Sequence, residues 1–189
     1  MRIADKPYTL PRSLTNQIKF ISPNIYELQK IAQVLNTGTE INEINMTSNA
    51  DILRTAKNLA RSVIEHFDTI IVTLGPLGVL IASKSTTKPI FNNQQQYSIE
   101  RGPVKYRHYL APKLDNLVNV SGAGDSFTSG FISAMLSGAT EDTCVAIAFQ
   151  AAQCALKSES AVPDKYFQGD EEKQKWYAMR ATAEELTEE

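Results

Sequence analysis

The chain has 189 residues, of which 42% are hydrophobic and 21% charged, an ordinary globular composition that can build a core and excludes wholesale disorder. Its formal net charge is −2, and residues 170–189 hold seven acids against three bases, so the remainder is near +2, an excess too mild for a nucleic-acid binder. No apolar run reaches the roughly 18 residues of a membrane span, which makes a membrane role unexpected.

Residues 1–17, with Pro7 and Pro11, read as an extended lead-in before a short apolar strand at Ile18 to Ile21. Ser22-Pro23-Asn24 ends that strand and opens a helix whose Ile25, Leu28, Ile31, Ala32 and Leu35 share one face, with Gly38 shortly past its end. Ser48 or Asn49 caps a second helix carrying the apolar stripe Ile52, Leu53, Ala56, Leu59, Ala60, Val63 and Ile64. Both stripes require a sheet to pack on. Thr69 to Leu74 is a continuous β-branched run, as expected of a strand covered on both faces, and Gly75-Pro76-Leu77-Gly78 turns it into a second arm, Val79 to Ala82.

The polar stretch Ser83 to Gly102 shows no periodicity and reads as a surface excursion, whereas Val104 to Leu110 suits another strand. Helices are expected over Ala123 to Leu136 and Glu141 to Leu156, with Gly138 between them. The many alanines of the second imply close approach, to a sheet or to a flat ligand. Cys144 and Cys154 stand ten residues apart on that helix, too far for a disulfide, and read as buried thiols. Neither cysteine has zinc-site spacing with His66 or His108, which read as surface or packing residues. Few cysteines and no signal-like N-terminus make a cytoplasmic setting the expectation. The tail from Asp170 suits either a charged helix anchored by Trp176 and Met179 or a solvated end. Strands followed by helices in this order give an α/β layered architecture with ligands at the carboxyl ends of the strands, where the Pro23, Gly75 and Gly122 turns could line one crevice.

Ser121-Gly122-Ala123-Gly124-Asp125-Ser126-Phe127 carries the chemistry. Two glycines around an alanine let the backbone turn tightly, and the helix that follows offers unpaired first-turn amides and the positive end of its dipole to a phosphate, with Asp125 beside it. The same spacing also suits an acid that merely favours the dipole, and spacing alone leaves both open.

Three motifs together resemble the ribokinase-like, pfkB-type carbohydrate kinases: Ser22-Pro23-Asn24-Ile25-Tyr26-Glu27-Leu28, Val72-Thr73-Leu74-Gly75-Pro76-Leu77-Gly78-Val79, and the glycine loop Ser121 to Phe127. The resemblance runs from about Ile18 to Pro163, leaving 164–189 as a charged tail, and implies a three-layer α/β/α sandwich. It implies ATP and Mg2+ as cofactors and a sugar or nucleoside hydroxyl as acceptor. Asp125 would take the acceptor proton, with Gly122, Ala123 and Gly124 as anion hole. Asn24 and Glu27 match an Asn-x-x-Glu element that organises Mg2+ and phosphate, usually through water. Thr73, Gly75 and Gly78 match the turn beside ATP. The lead-in Asn119-Val120-Ser121 departs from the common Asp-Thr and resembles members acting on pseudouridine.

Nothing before Ile18 matches the family's N-terminal half, which carries the sugar-binding residues and β lid. The expectation is a C-terminal part, inactive alone, completed by a missing half or another subunit. A noncatalytic nucleotide-binding or interaction module derived from such a kinase is the alternative. A dinucleotide-binding reading fits poorly, because the loop lacks the Gly-x-Gly-x-x-Gly pattern.

Overall fold

Residues 17–35, 48–85 and 101–187 are described by the computed structural model of the chain. The expected lead-in over 1–16, the role of Gly38 and the stretch 86–100 lie outside them. Two compact units form, one from Met1–Ser85, Arg101–His108 and Glu184–Glu189, the other from Thr86–Glu100 and Tyr109–Ala183.

The first unit is a sheet with two helices on it. Its strands, among the described residues, are β1 (Phe20–Ile21), β2 (Thr69–Thr73), β3 (Val79–Ser85), β4 (Arg101–Tyr109) and β5 (Ala183–Glu185), paired in that order. β1 runs parallel to β2, and β2 antiparallel to β3 with Ile70 opposite Ala82 and Val72 opposite Leu80. Because side chains alternate across a strand, these four residues face one side together and join a single core with α1 (Ile25–Leu35) and α2 (Asn49–Val63). Ile71, Val79 and Ile81 on the opposite face are buried as well, as the continuous apolar run required. The stripe of α2 contributes Ala56, Leu59, Ala60 and Val63 to the buried core, and that of α1 contributes Leu28 and Ala32. Ser48, rather than Asn49, caps α2: its hydroxyl oxygen accepts the Asp51 amide at 3.1 Å and donates to the Asp51 carboxylate at 2.6 Å.

The second unit holds α3 (Ala123–Leu136), α4 (Glu141–Leu156) and α5 (Asp170–Ala178). Gly138, at φ 78°, closes α3: its amide bonds the Met135 carbonyl at 3.0 Å and the Ala139 amide bonds the Ala134 carbonyl at 3.1 Å. α3 and α4 pack directly on each other, with Phe127 edge-on to Phe149 at 5.3 Å between ring centroids. They come close at Gly130, where a Cβ would lie 2.9 Å from the Ala151 Cβ and 3.1 Å from the Ala148 Cα.

Five expectations change. Alanines of α4 meet a helix, since it is α3 that lies against Ala148 and Ala151. β3 continues past Ala82 to Ser85, and β4 begins at Arg101. Cys144 is buried but Cys154 only half so; burial first, then Glu141 and Asp142, pushes the Cys144 thiol up to about 12. In the tail, Trp176 at 7% exposure does anchor α5 against Phe167, whereas Met179 at 38% does not. β5 was not foreseen; it lies along β4, with the Leu186 amide bonding the Tyr106 carbonyl at 2.9 Å and Lys105 pairing with Glu185 at 3.3 Å.

Glycine inside a helix costs about 1 kcal/mol relative to alanine, a cost that the close approach at Gly130 offsets. Gly130→Val should force the helices apart and cost about 1–3 kcal/mol, read as a lower urea midpoint at unchanged slope. An unchanged midpoint would show that the contact is not tight.

Candidate functional site

The first unit gathers Asn24, Glu27 and Thr73 at the carboxyl end of β2. Asn24 forms a parallel bridge with Thr73, and the Thr73 amide bonds the Pro23 carbonyl at 3.0 Å. Asn24 and Glu27 also cap α1 reciprocally: the Glu27 amide donates to the Asn24 Oδ1 and the Asn24 amide to the Glu27 Oε2, both at 2.9 Å. Spacing of three residues therefore has a local purpose, which is to satisfy two amides at a helix start. Glu27 spends one oxygen on the cap and keeps the other without a hydrogen bond among the described residues.

Gly75 and Gly78 belong to the turn joining β2 to β3. Their φ values of 60° and 91° lie in the left-handed region, so both glycines are explained by the turn itself. The Leu74 amide reaches the Gly78 carbonyl at 2.9 Å, and the His108 Nε2 lies 2.7 Å from the Leu77 carbonyl. His108, read from sequence as ordinary, is buried and braces this turn; no motif around it signalled that role.

The second unit holds the glycine loop. Gly122 is the N-cap of α3 at φ 76°, and a Cβ there would fall 1.9 Å from the Ala161 carbonyl oxygen, so no other residue fits. Gly124 differs. Its φ is ordinary and a Cβ would meet nothing within 4 Å, so the fold itself makes no demand for glycine there. The amides of Gly122, Ala123 and Gly124 have no acceptor among the described residues, as befits the first turn of a helix. Asp125 follows in that turn, exposed, with no ion pair or side-chain hydrogen bond among the described residues. Behind it Ser126 is buried, its hydroxyl 3.1 Å from that of Tyr166, which fixes the back of the turn. Chemically the loop is a set of open amides at a positive helix end beside a free carboxylate, able to hold an anion and to accept a proton.

Ala161 is the residue that sequence reasoning missed. It follows α4, far along the chain from Gly122, and it acts through its backbone, so no side-chain pattern could have marked it. Among the described residues no group of three or more His, Cys, Asp or Glu side chains could hold a metal ion. None of the helices there is long and apolar enough to cross a membrane.

Residues 4–165 match the family model described as pfkB family carbohydrate kinase. A pseudouridine-metabolizing bifunctional protein of Schizosaccharomyces pombe is 26% identical over 193 residues, an alignment covering 85% of this chain and 26% of that protein. A Clostridium perfringens protein assigned as a sugar kinase superposes with a TM-score of 0.58 at 16% identity, over 93% of this chain and 45% of that one. The Arabidopsis thaliana ribokinase complexed with ribose and ATP gives 0.55 at 19% identity, over 84% and 42%. The chain thus spans about a quarter of the curated relative and under half of each structure. At such identities the structural likenesses speak for the α/β, ribokinase-like fold alone. By the match over most of its length, the chain belongs to the pfkB family of carbohydrate kinases.

Proposed function

We propose that this chain supplies the ATP site and the catalytic base of a kinase that phosphorylates a hydroxyl of a sugar or nucleoside. The observation that carries the reading is the glycine loop: three amides open and an Asp125 unpartnered among the described residues, and a glycine at 124 that the fold does not need, in one helical turn. A ligand approaching the backbone accounts for Gly124 where packing does not. In the proposed reaction Asp125 accepts the proton of the acceptor hydroxyl while that oxygen bonds the γ-phosphorus and the bond from phosphorus to the ADP oxygen breaks. The amides of Gly122, Ala123 and Gly124 stabilise the charge on the phosphoryl oxygens.

Glu27 would help hold Mg2+, with the remaining ligands drawn from water and phosphate, since its free oxygen stands without a cluster of further carboxylates among the described residues. Mg2+ when bound would neutralise phosphate charge. Asn24, Thr73, Gly75 and Gly78 would border the nucleotide. The kinase part runs over 18–163 in this reading, with 1–17 as lead-in and 164–189 as tail, in a cytoplasmic protein.

The acceptor we favour is a nucleoside, pseudouridine in particular, on the lead-in Asn119-Val120-Ser121 and the likeness to a pseudouridine-metabolizing protein. Full turnover would need the remaining half of the kinase, from a longer protein or another subunit. The second reading is a noncatalytic nucleotide-binding or interaction module derived from such a kinase.

Three variants separate these ideas. Asp125→Asn should bind MgATP within a few-fold of the unaltered chain by titration calorimetry yet lose about 10²–10⁴ of transfer when a complementary half is supplied; undiminished transfer would remove Asp125 from the chemistry. Restored turnover on adding that half excludes the noncatalytic module. Gly124→Ala should leave the melting point unchanged or slightly raised while weakening MgATP binding, and Gly122→Ala should cost roughly 1–2 kcal/mol for the left-handed backbone alone. If Gly124→Ala binds MgATP normally, the loop is not the phosphate site.

A further inference from the structure

The lead-in position that is often Asp in this family is Asn119 here, and its amide makes two bonds that a carboxylate cannot both make. The Asn119 Oδ1 accepts the Ser121 amide at 2.9 Å, while the Nδ2 donates to the Glu159 carbonyl at 3.3 Å. Acceptor and donor diverge from one planar group, and only the amide offers both. An aspartate would keep the first bond and set an anion against a carbonyl oxygen in place of the second.

The partners of Asn119 lie on one short segment. The Leu156 carbonyl accepts both the Val118 amide, at 2.9 Å, and the Asn119 amide, at 3.2 Å. Glu159 takes the side chain, and the Ala161 backbone fills the space where Gly122 lacks a Cβ. Residues 156–161 therefore form a brace that touches the loop at 118, 119 and 122, immediately ahead of the open amides. Asn119 is the one side chain among these contacts that ties brace and loop together.

We propose that Asn119 is a positioning residue: it holds the glycine loop on the 156–161 brace in the shape that points the amides of Gly122 to Gly124 at a terminal phosphoryl group. The effect reaches the phosphate through the loop, with no contact between Asn119 and the ligand, and it rests on the kinase reading above. Its signature is selectivity for the nucleotide bearing a γ-phosphate, which loop shape governs and bulk stability does not.

The test uses the full chain with Asn119→Asp and Asn119→Ala, comparing MgATP with MgADP by calorimetry and following amide hydrogen exchange at Ser121. Exchange at Ser121 should be slow in the unaltered chain, faster in Asn119→Asp and fastest in Asn119→Ala. MgATP affinity should fall about three- to tenfold with MgADP affinity nearly unchanged, while the melting point drops by no more than a few degrees, as loss of one or two exposed hydrogen bonds allows. Equal losses for both nucleotides, or unchanged exchange at Ser121 in both variants, overturns the positioning role while leaving the kinase reading intact. If the unaltered chain binds no MgATP, the kinase reading fails instead, and with it the phosphoryl role, whereas exchange still decides the tether.

Discussion

The contact between Gly122 and the backbone of Ala161 is the constraint from which the rest of the candidate chemistry follows. With 1.9 Å between an imagined Cβ and a carbonyl oxygen, the position admits glycine alone, and the left-handed backbone there turns the chain abruptly into α3. Among the described residues that turn leaves the first amides of the helix unpaired, and it brings Asp125 to solvent in the same turn. The buried side of α3 then locks against α4 through Gly130, Phe127 and Phe149, so the helix whose dipole serves the loop cannot easily reorient.

Among the described residues most glycines have a reason in their surroundings, whereas Gly102, Gly124 and Gly169 have neither a left-handed φ nor a tight contact. Gly75, Gly78, Gly122 and Gly138 have positive φ, and the backbone accounts for them without any ligand. Gly130 is accounted for by a helix contact. Gly124 has neither reason, and an unexplained glycine in a turn of open amides is what a binding role would leave behind. Glu27 teaches the opposite caution: its place three residues after Asn24 is fully explained by reciprocal capping, so any role toward Mg2+ must come in addition.

Much of the architecture was legible because it depends on local pattern. The faces of α1 and α2, the β-branched run of β2, the serine cap of α2 and the glycine end of α3 all express short-range geometry, and each lies where its residues imply. What escaped depends on partners distant in sequence. Alanines announce a close neighbour without naming it, and the neighbour proved to be a helix. Ala183-Glu184-Glu185 consists of helix formers, yet β4 offers an edge and tertiary pairing overrides the preference. Ala161 acts through backbone atoms that carry no sequence signal. In the candidate site the residue types and their order could be read, whereas which glycines the fold itself requires could not.

The account stands or falls on where a terminal phosphoryl group binds. The direct measurement is a titration of the isotopically labelled full chain with MgATP, following amide resonances, with MgADP as the control. The account predicts that the amides of Gly122, Ala123 and Gly124 shift strongly with MgATP and weakly with MgADP. Saturable MgATP binding that leaves those three amides unmoved, or moves them equally with MgADP, would contradict it.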